Sequence, residues 1–131
     1  MKMVLLILLT TLGVLEVSAK VQRVQVYFIP WSLRVFAPWP ADTIRAHPFA
    51  KLEICEPSYA EAYINALGVE KMKKSPKVDV SDLRVVIDAV QEDGSVVSYL
   101  SDGSVLVEES TGKSRPVDSA FRKRFATIFG E

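Results

Sequence analysis

Alternation of apolar and polar positions indicates where the strands of this chain lie. Residues 21–29 read VQRVQVYFI, in which Val24, Val26 and Phe28 share one face of a strand and the intervening residues take the other. Pro30 ends this segment, because proline cannot donate to a strand ladder. Residues 52–55 predict a second, shorter strand.

The region between residues 83 and 109 contains three further apolar segments, separated by two Asp-Gly pairs. Residues 83–90, 95–100 and 104–109 each have strand character. Asp93-Gly94 and Asp102-Gly103 supply the positive-φ positions that tight hairpin turns require. The pattern therefore predicts a three-strand antiparallel meander.

Residues 58–67 have the periodicity of an amphipathic helix. Ser58 and Glu61 form an S-x-x-E capping box, and Gly68 follows as a C-terminal stop. We expect the apolar stripe to consist of the positions with helical spacing, namely Tyr59, Ala62, Tyr63, Ala66 and Leu67.

A second amphipathic helix is predicted over residues 119–129, with Asp118 as its N-cap. Its outer side carries Arg122, Lys123 and Arg124. Its inner side is predicted to consist of Val117, Phe121, Phe125, Ile128 and Phe129.

The strands and helices are segregated along the chain rather than alternating. This order predicts an α+β fold with a mainly antiparallel sheet and both amphipathic helices packed on one face. Residues 42–46 predict only a short helical turn before Pro48. Residues 69–82 carry Lys71, Lys73, Lys74 and Lys77, and are interpreted as a solvated connector.

The first 19 residues have the order of a secretory signal peptide. Lys2 precedes an apolar run over residues 4–15, and Val17-Ser18-Ala19 places small side chains before a cleavage point. We therefore predict a signal peptide over residues 1–19 and a single α+β domain over residues 20–131, in the periplasm or secreted. If the segment were retained, it would tether the domain to a membrane.

Composition and charge narrow the function classes. The 131 residues are 49% hydrophobic and 24% charged, with a formal net charge of zero, which excludes an intrinsically disordered chain. A nucleic-acid partner held by bulk positive charge is not expected. The charge is uneven, however, because residues 78–110 hold eight acidic side chains against Arg84 alone.

These acidic side chains have three interpretations. The simplest is that they solvate the turns and the outer face of the sheet. Alternatively they form a surface that attracts a basic partner, or two of them act as a catalytic carboxylate pair.

Little in the sequence predicts catalysis. No phosphate-binding Gly motif, nucleophile elbow or paired-His zinc motif is present, and no metal or cofactor is predicted. His47 is the one histidine and has no evident helper residue. Cys55 is the one cysteine, so no disulfide forms within the chain, and we expect it to be a small buried hydrophobic residue.

Aromatic residues concentrate in one proline-containing segment, where rings either fill the core or form an exposed binding surface. Together with the uneven charge, this gives four candidate binding residues: Trp31, Trp39, Tyr27 and Asp88. We therefore predict a small exported non-enzymatic binding module, such as an inhibitor, immunity-type or adaptor protein, whose partner is a protein or a small ligand. The alternative is a small exported hydrolase that uses His47 or a carboxylate pair.

Overall fold

The computed structural model describes residues 20–33, 37–74, 80 and 82–129, with side chains as far as Phe125 in the last helix. The predicted signal peptide at residues 1–19 lies outside the described residues, as do Lys77 and Asp79. Its removal therefore stays a prediction.

One antiparallel sheet of six strands organises the described chain, in the spatial order β2-β1-β3-β4-β5-β6. This confirms the predicted α+β class and the meander. The elements are β1 (Val21–Phe28), α1 (Ala41–Ala46), β2 (Ala50–Ile54), α2 (Pro57–Ala66), a 3-10 turn (Val69–Lys71), β3 (Val85–Gln91), β4 (Val96–Ser101), β5 (Val105–Glu108), β6 (Ser114–Pro116) and α3 (Ser119–Phe129).

The two Asp-Gly turns of the meander form as predicted. Gly94 and Gly103 have φ of 87° and 93°, in the left-handed region where glycine is not strained. The Asp93 carboxylate accepts the backbone N–H of Ser95 at 2.9 Å, and hydrogen bonding to Ser95 lowers the pKa of Asp93. At least one acidic side chain of the meander therefore stabilises a turn.

Both longer helices pack on one face of the sheet, which confirms that prediction. Beneath them lie the fully buried Val24 and Val26 of β1. Phe121 and Phe125 of α3 are 5% and 0% exposed, so both anchor the helix to the sheet. Asp118 accepts the Phe121 N–H at 3.1 Å, as its predicted role as N-cap requires.

The start of α2 differs from the prediction. Glu56, not Ser58, is the N-cap, and its carboxylate accepts the N–H of Ser58 at 2.7 Å and that of Tyr59 at 3.3 Å. Pro57 takes the first helical position. An N–H at that position has no acceptor within the helix, so proline loses no hydrogen bond there. Ser58 therefore lies inside the helix, and the prediction of a Ser58 cap is wrong.

The predicted apolar stripe of α2 is confirmed at Leu67, which is buried, and at Tyr63, which packs against the core, but it is wrong at the other three positions. Tyr59 is 70% exposed and Ala62 and Ala66 are exposed, whereas Ala60 and Ile64 face the sheet. Burying the branched side chain of Ile64 removes more apolar area from water than burying an alanine. The helix is therefore rotated relative to the stripe that spacing alone suggested.

Two arginines complete the end of α2. Gly68 adopts φ of 74°, as predicted for a C-terminal stop, and a Cβ there would lie 3.1 Å from the Arg115 Nε. Arg115 donates to the Leu67 carbonyl at 3.0 Å, and Arg124 donates to the Ala66 carbonyl at 3.0 Å. Both cations therefore lie at the negative end of the helix dipole.

Part of the opposite face of the sheet is covered by α1 and the segments that flank it. A smaller apolar cluster forms there, in which Ile44 of α1 packs against the sheet and Trp39 is half-buried. The buried residues of this cluster are Tyr27, Ile29, Ile44, Leu83 and Val86.

Cys55 is exposed, so the prediction that it is buried is wrong. It follows the last residue of β2, at the outer edge of the sheet, where no element of the described chain covers it. The connector after α2 is also less solvated than predicted. Met72 is buried, and Lys73 pairs with Ser114 of β6, a strand that the sequence did not indicate.

Candidate binding face of the sheet

The face opposite α2 and α3, here called the open face, carries a row of polar side chains. The antiparallel registers place Gln25 opposite both Glu53 and Asp88, and Asp88 opposite Ser98. Residues directly opposite in neighbouring strands share a face. The four side chains therefore form one continuous row across β2, β1, β3 and β4.

Arg45 of α1 contacts this row and forms a bidentate ion pair with Asp88. Its Nε and Nη2 donate to the two Asp88 oxygens at 2.9 and 3.0 Å, and Nη2 also donates to the Ser98 hydroxyl at 3.1 Å. The Ser98 hydroxyl donates to Asp88 at 2.7 Å, and Asp42 accepts Nη1 at 2.7 Å. This fork geometry fixes both partners in orientation.

Hydrogen bonding to Asp88 raises the pKa of Arg45 above its already high ordinary value. The guanidinium is therefore charged throughout the pH range in which a protein stays folded. Since Asp88 is only 7% exposed, its charge is balanced by Arg45 rather than by water.

The other half of the row is ordered by Gln25. Its amide donates to Glu53 at 3.0 Å, and its carbonyl oxygen accepts the Tyr27 hydroxyl at 3.2 Å. The Lys51 ammonium lies 5.3 Å from the centre of the Tyr27 ring, within cation–π distance.

A second, more exposed row runs beside the first. Arg23 pairs with Val90, and Val90 pairs with Val96, so the three share the open face. Arg23 is exposed and Val96 is 53% exposed. A shallow depression of about 450 Å³ lies at this end of the sheet, lined in part by Arg23, Val90 and Cys55.

The structure brings three of the four predicted binding residues to the same side of the sheet. Tyr27 and Asp88 lie on the open face, and Trp39 packs into the apolar cluster around α1. Trp31 lies on the other side, where its indole N–H donates to the Arg122 carbonyl at 3.1 Å and its ring meets that of Phe125 edge-on. Whether any of them contacts a partner stays a prediction.

Sequence reasoning did not find Arg45, Ser98 or Gln25. Arg45 lies 43 residues from Asp88 along the chain, so no local pattern connects the two. The one available signal is that Asp88 is a charged position within the otherwise apolar residues 85–90.

Ser98 lies beside a carboxylate on the open face, but both oxygens of Asp88 already accept hydrogen bonds from Arg45. His47 is exposed at the C-cap of α1. Within the described ranges, no group of three or more His, Cys, Asp or Glu side chains is placed to hold a metal ion.

A second depression, of about 570 Å³, lies near β6 between Lys71, Lys73 and Arg115. Arg115 already donates to the carbonyls of Leu67 and Pro116. Lys73 forms a β-bridge with Ser114 of β6, so the segment after α2 lies alongside this strand. This region therefore has a sufficient structural explanation.

Comparison with protein-family models, curated proteins and solved structures finds no match to this chain. Among the helices of the described part, none is long and apolar enough to cross a membrane.

Proposed function

We propose that this protein is a small exported binding module, without enzymatic activity, whose open face docks another protein. The observation that carries the proposal is the row of Glu53, Gln25, Asp88 and Ser98, on a sheet face that the two longer helices leave uncovered. Hydrogen bonds join Gln25 to Glu53 and Ser98 to Asp88. Side chains already held in place lose little conformational entropy when a partner binds.

The shape of the face favours a protein over a small molecule. Small ligands are bound in concave pockets that bury most of their surface. The depression lined by Arg23, Val90 and Glu92 is shallow, and the exposed Val96 lies opposite Val90 on the neighbouring strand. This combination of a flat apolar contact with a polar rim is typical of protein interfaces.

The predicted binding residues have different roles in this proposal. Asp88 and Tyr27 are both less than a tenth exposed, and they orient the row through their hydrogen bonds to Arg45 and Gln25. Arg23, Glu53 and Val96 present the accessible atoms that a partner would touch. Trp39, which is half-buried, stabilises the α1 side of the face.

The test compares one substitution on the open face with a matched one on the helical face. Val96→Arg should abolish capture of a partner from the native compartment. Ala62→Arg, which adds the same side chain at an exposed position of α2, should leave capture intact. Circular dichroism should show both variants folded, and equal capture by the two variants would refute the proposal.

The hydrolase alternative is tested in the same preparation. A hydrolytic activity that is lost in His47→Ala but retained in Val96→Arg would replace the binding interpretation. Export is tested separately by sequencing the N-terminus of protein recovered from the periplasm or medium. Cleavage before Lys20 is expected, and an intact Met1 would contradict it.

A further inference from the structure

The strand β2 forms one end of the sheet and has no strand neighbour on its outer side within the described chain. Its residues Lys51 and Glu53 are exposed, and Leu52 is half-buried. We propose that β2 pairs antiparallel with β2 of a second copy of this chain, so that two sheets join into one across a twofold axis.

Backbone geometry limits the registers of such a pairing. On the outer edge of a strand, every second residue points its N–H and C=O groups outward. Both copies use the same edge, so residues of the same parity must face each other. The registers that remain place Leu52 opposite Leu52, Lys51 opposite Lys51, or Glu53 opposite Glu53.

Charge selects one register among these. With Leu52 opposite Leu52, Lys51 of each copy lies opposite Glu53 of the other, which makes two attractive pairs. The other two registers place like charges opposite each other, which destabilises a strand pair. The favoured register is also the one in which all five residues of β2 are paired.

The apolar side of β2 is compatible with the same register. Leu52 and Ile54 are partly buried and pack against the main core. In the dimer, Leu52 meets its own copy, and Ala50 lies opposite Ile54. The apolar face of the sheet would therefore continue across the join, as a twofold interface requires.

Internal contacts already orient the two charged side chains. Lys51 lies over the Tyr27 ring, and Glu53 accepts the Gln25 amide. Both are therefore held on the open face, away from the backbone edge that pairs. This proposal does not rest on the proposed function. The dimer is detected as the mass of the purified protein, whereas the proposed function is tested by capture of a different protein.

The first test is sedimentation equilibrium of the purified protein over a concentration series. The interface is small, so we expect a monomer–dimer equilibrium with a dissociation constant of about micromolar order. Lys51→Glu should weaken the dimer by roughly tenfold or more, because two attractive pairs become repulsive. Lys123→Glu, an exposed substitution of the same type on α3, should have no effect.

Complementary variants make the test specific for the pairing. Lys51→Glu carries two acidic side chains on β2 and Glu53→Lys carries two basic ones, so each should fail to self-associate. Mixed together they should form a heterodimer, and the double exchange of both residues in one chain should restore the homodimer. A dimer that is insensitive to every one of these changes would overturn the proposal.

A second measurement needs no substitution in β2. Cys55 is the one cysteine and is exposed, so a spin label attached there reports the distance between copies. In the favoured register the two Cys55 Cα atoms are offset by six residues, which corresponds to roughly 20 Å. A wild-type protein that remains monomeric up to about 1 mM, or a clearly different distance, would overturn the proposal.

Discussion

The two faces of the sheet are stabilised by different kinds of interaction. On the helical face, four aromatic rings pack together. The centre of the Phe28 ring lies 5.2 Å from that of Trp31 and 6.2 Å from that of Phe125. The ring centres of Phe121 and Phe125 are 4.9 Å apart. On the open face, α1 is attached by the ion pair between Arg45 and Asp88 as well as by Ile44.

The two kinds of interaction place different demands on the sequence. Apolar packing is not directional, so any helix with an apolar side satisfies the helical face. The ion pair requires particular atoms at particular distances. The helical face therefore depends mainly on the apolar area that it buries, whereas the open face also depends on the geometry of one ion pair.

The largest expected effect tests this division directly. Phe125→Ala should lower the free energy of unfolding by about 3–5 kcal/mol, because it removes a fully buried ring. Denaturant unfolding followed by circular dichroism measures it. Val96→Thr, on the exposed part of the open face, should change stability by less than about 0.5 kcal/mol. Comparable losses in the two variants would contradict the comparison.

The helical face was largely predictable from the sequence. Period-two alternation located β1, the Asp-Gly pairs located the meander, and spacing located Phe121 and Phe125 on the inner side of α3. The errors on this face concern α2, where Glu56 rather than Ser58 is the cap and Ile64 rather than Tyr59 is buried. Several local patterns competed there, and the fit to the sheet decided between them.

The open face was predictable only in part. Asp88 and Tyr27 were identified as unusual polar and aromatic positions, but Arg45 was not, because its role depends on a contact between distant segments. The exposure of Cys55 was missed for a similar reason. It depends on β2 being the terminal strand, which is a property of the whole sheet.

The next effect tests the ion pair that holds α1. Asp88→Asn should lower the free energy of unfolding by roughly 1.5–3 kcal/mol, since Arg45 would lose charge-assisted hydrogen bonds in a largely buried setting. Asp82→Asn is the matched control. It removes another Asp–Arg pair, but the Asp82 side chain is 60% exposed, so we expect no more than about 1 kcal/mol. Equal losses would mean that burial does not distinguish the two pairs.

A smaller effect is expected at alkaline pH, on the helical face. Burial, with a further contribution from the negative charge of Glu108, raises the pKa of Tyr99 from 10.0 to about 12. The folded state therefore holds the phenol proton more tightly than the unfolded state. The resulting stability is complete below pH 10 and is lost as the pH rises towards 12.

Replacing Tyr99 removes its contribution to the stability that the protein loses at alkaline pH. Tyr99→Phe should lose less stability than the wild type between neutral pH and pH 12, as measured by denaturant unfolding at a series of pH values. Curves that stay parallel over this interval would show that the Tyr99 proton does not contribute.

The smallest effect concerns the first turn of α2, where the helical face begins. Ser58→Ala removes the exposed hydroxyl bond to Glu56 but keeps the bond from the Ser58 backbone N–H. It should therefore change the free energy of unfolding by less than about 0.5 kcal/mol. Glu56→Ala should destabilise the protein more, since it leaves the N–H groups of Ser58 and Tyr59 without their acceptor.

The contribution of Glu56 to stability also depends on pH, because hydrogen bonds from Ser58 lower the pKa of this carboxyl. The contribution is present above the ordinary glutamate pKa and is lost as the pH falls through the lowered value. Thermal unfolding of both variants at neutral and acidic pH measures this difference. If Ser58→Ala proved the more damaging substitution, Ser58 rather than Glu56 would be the N-cap of α2, as the capping-box pattern predicts.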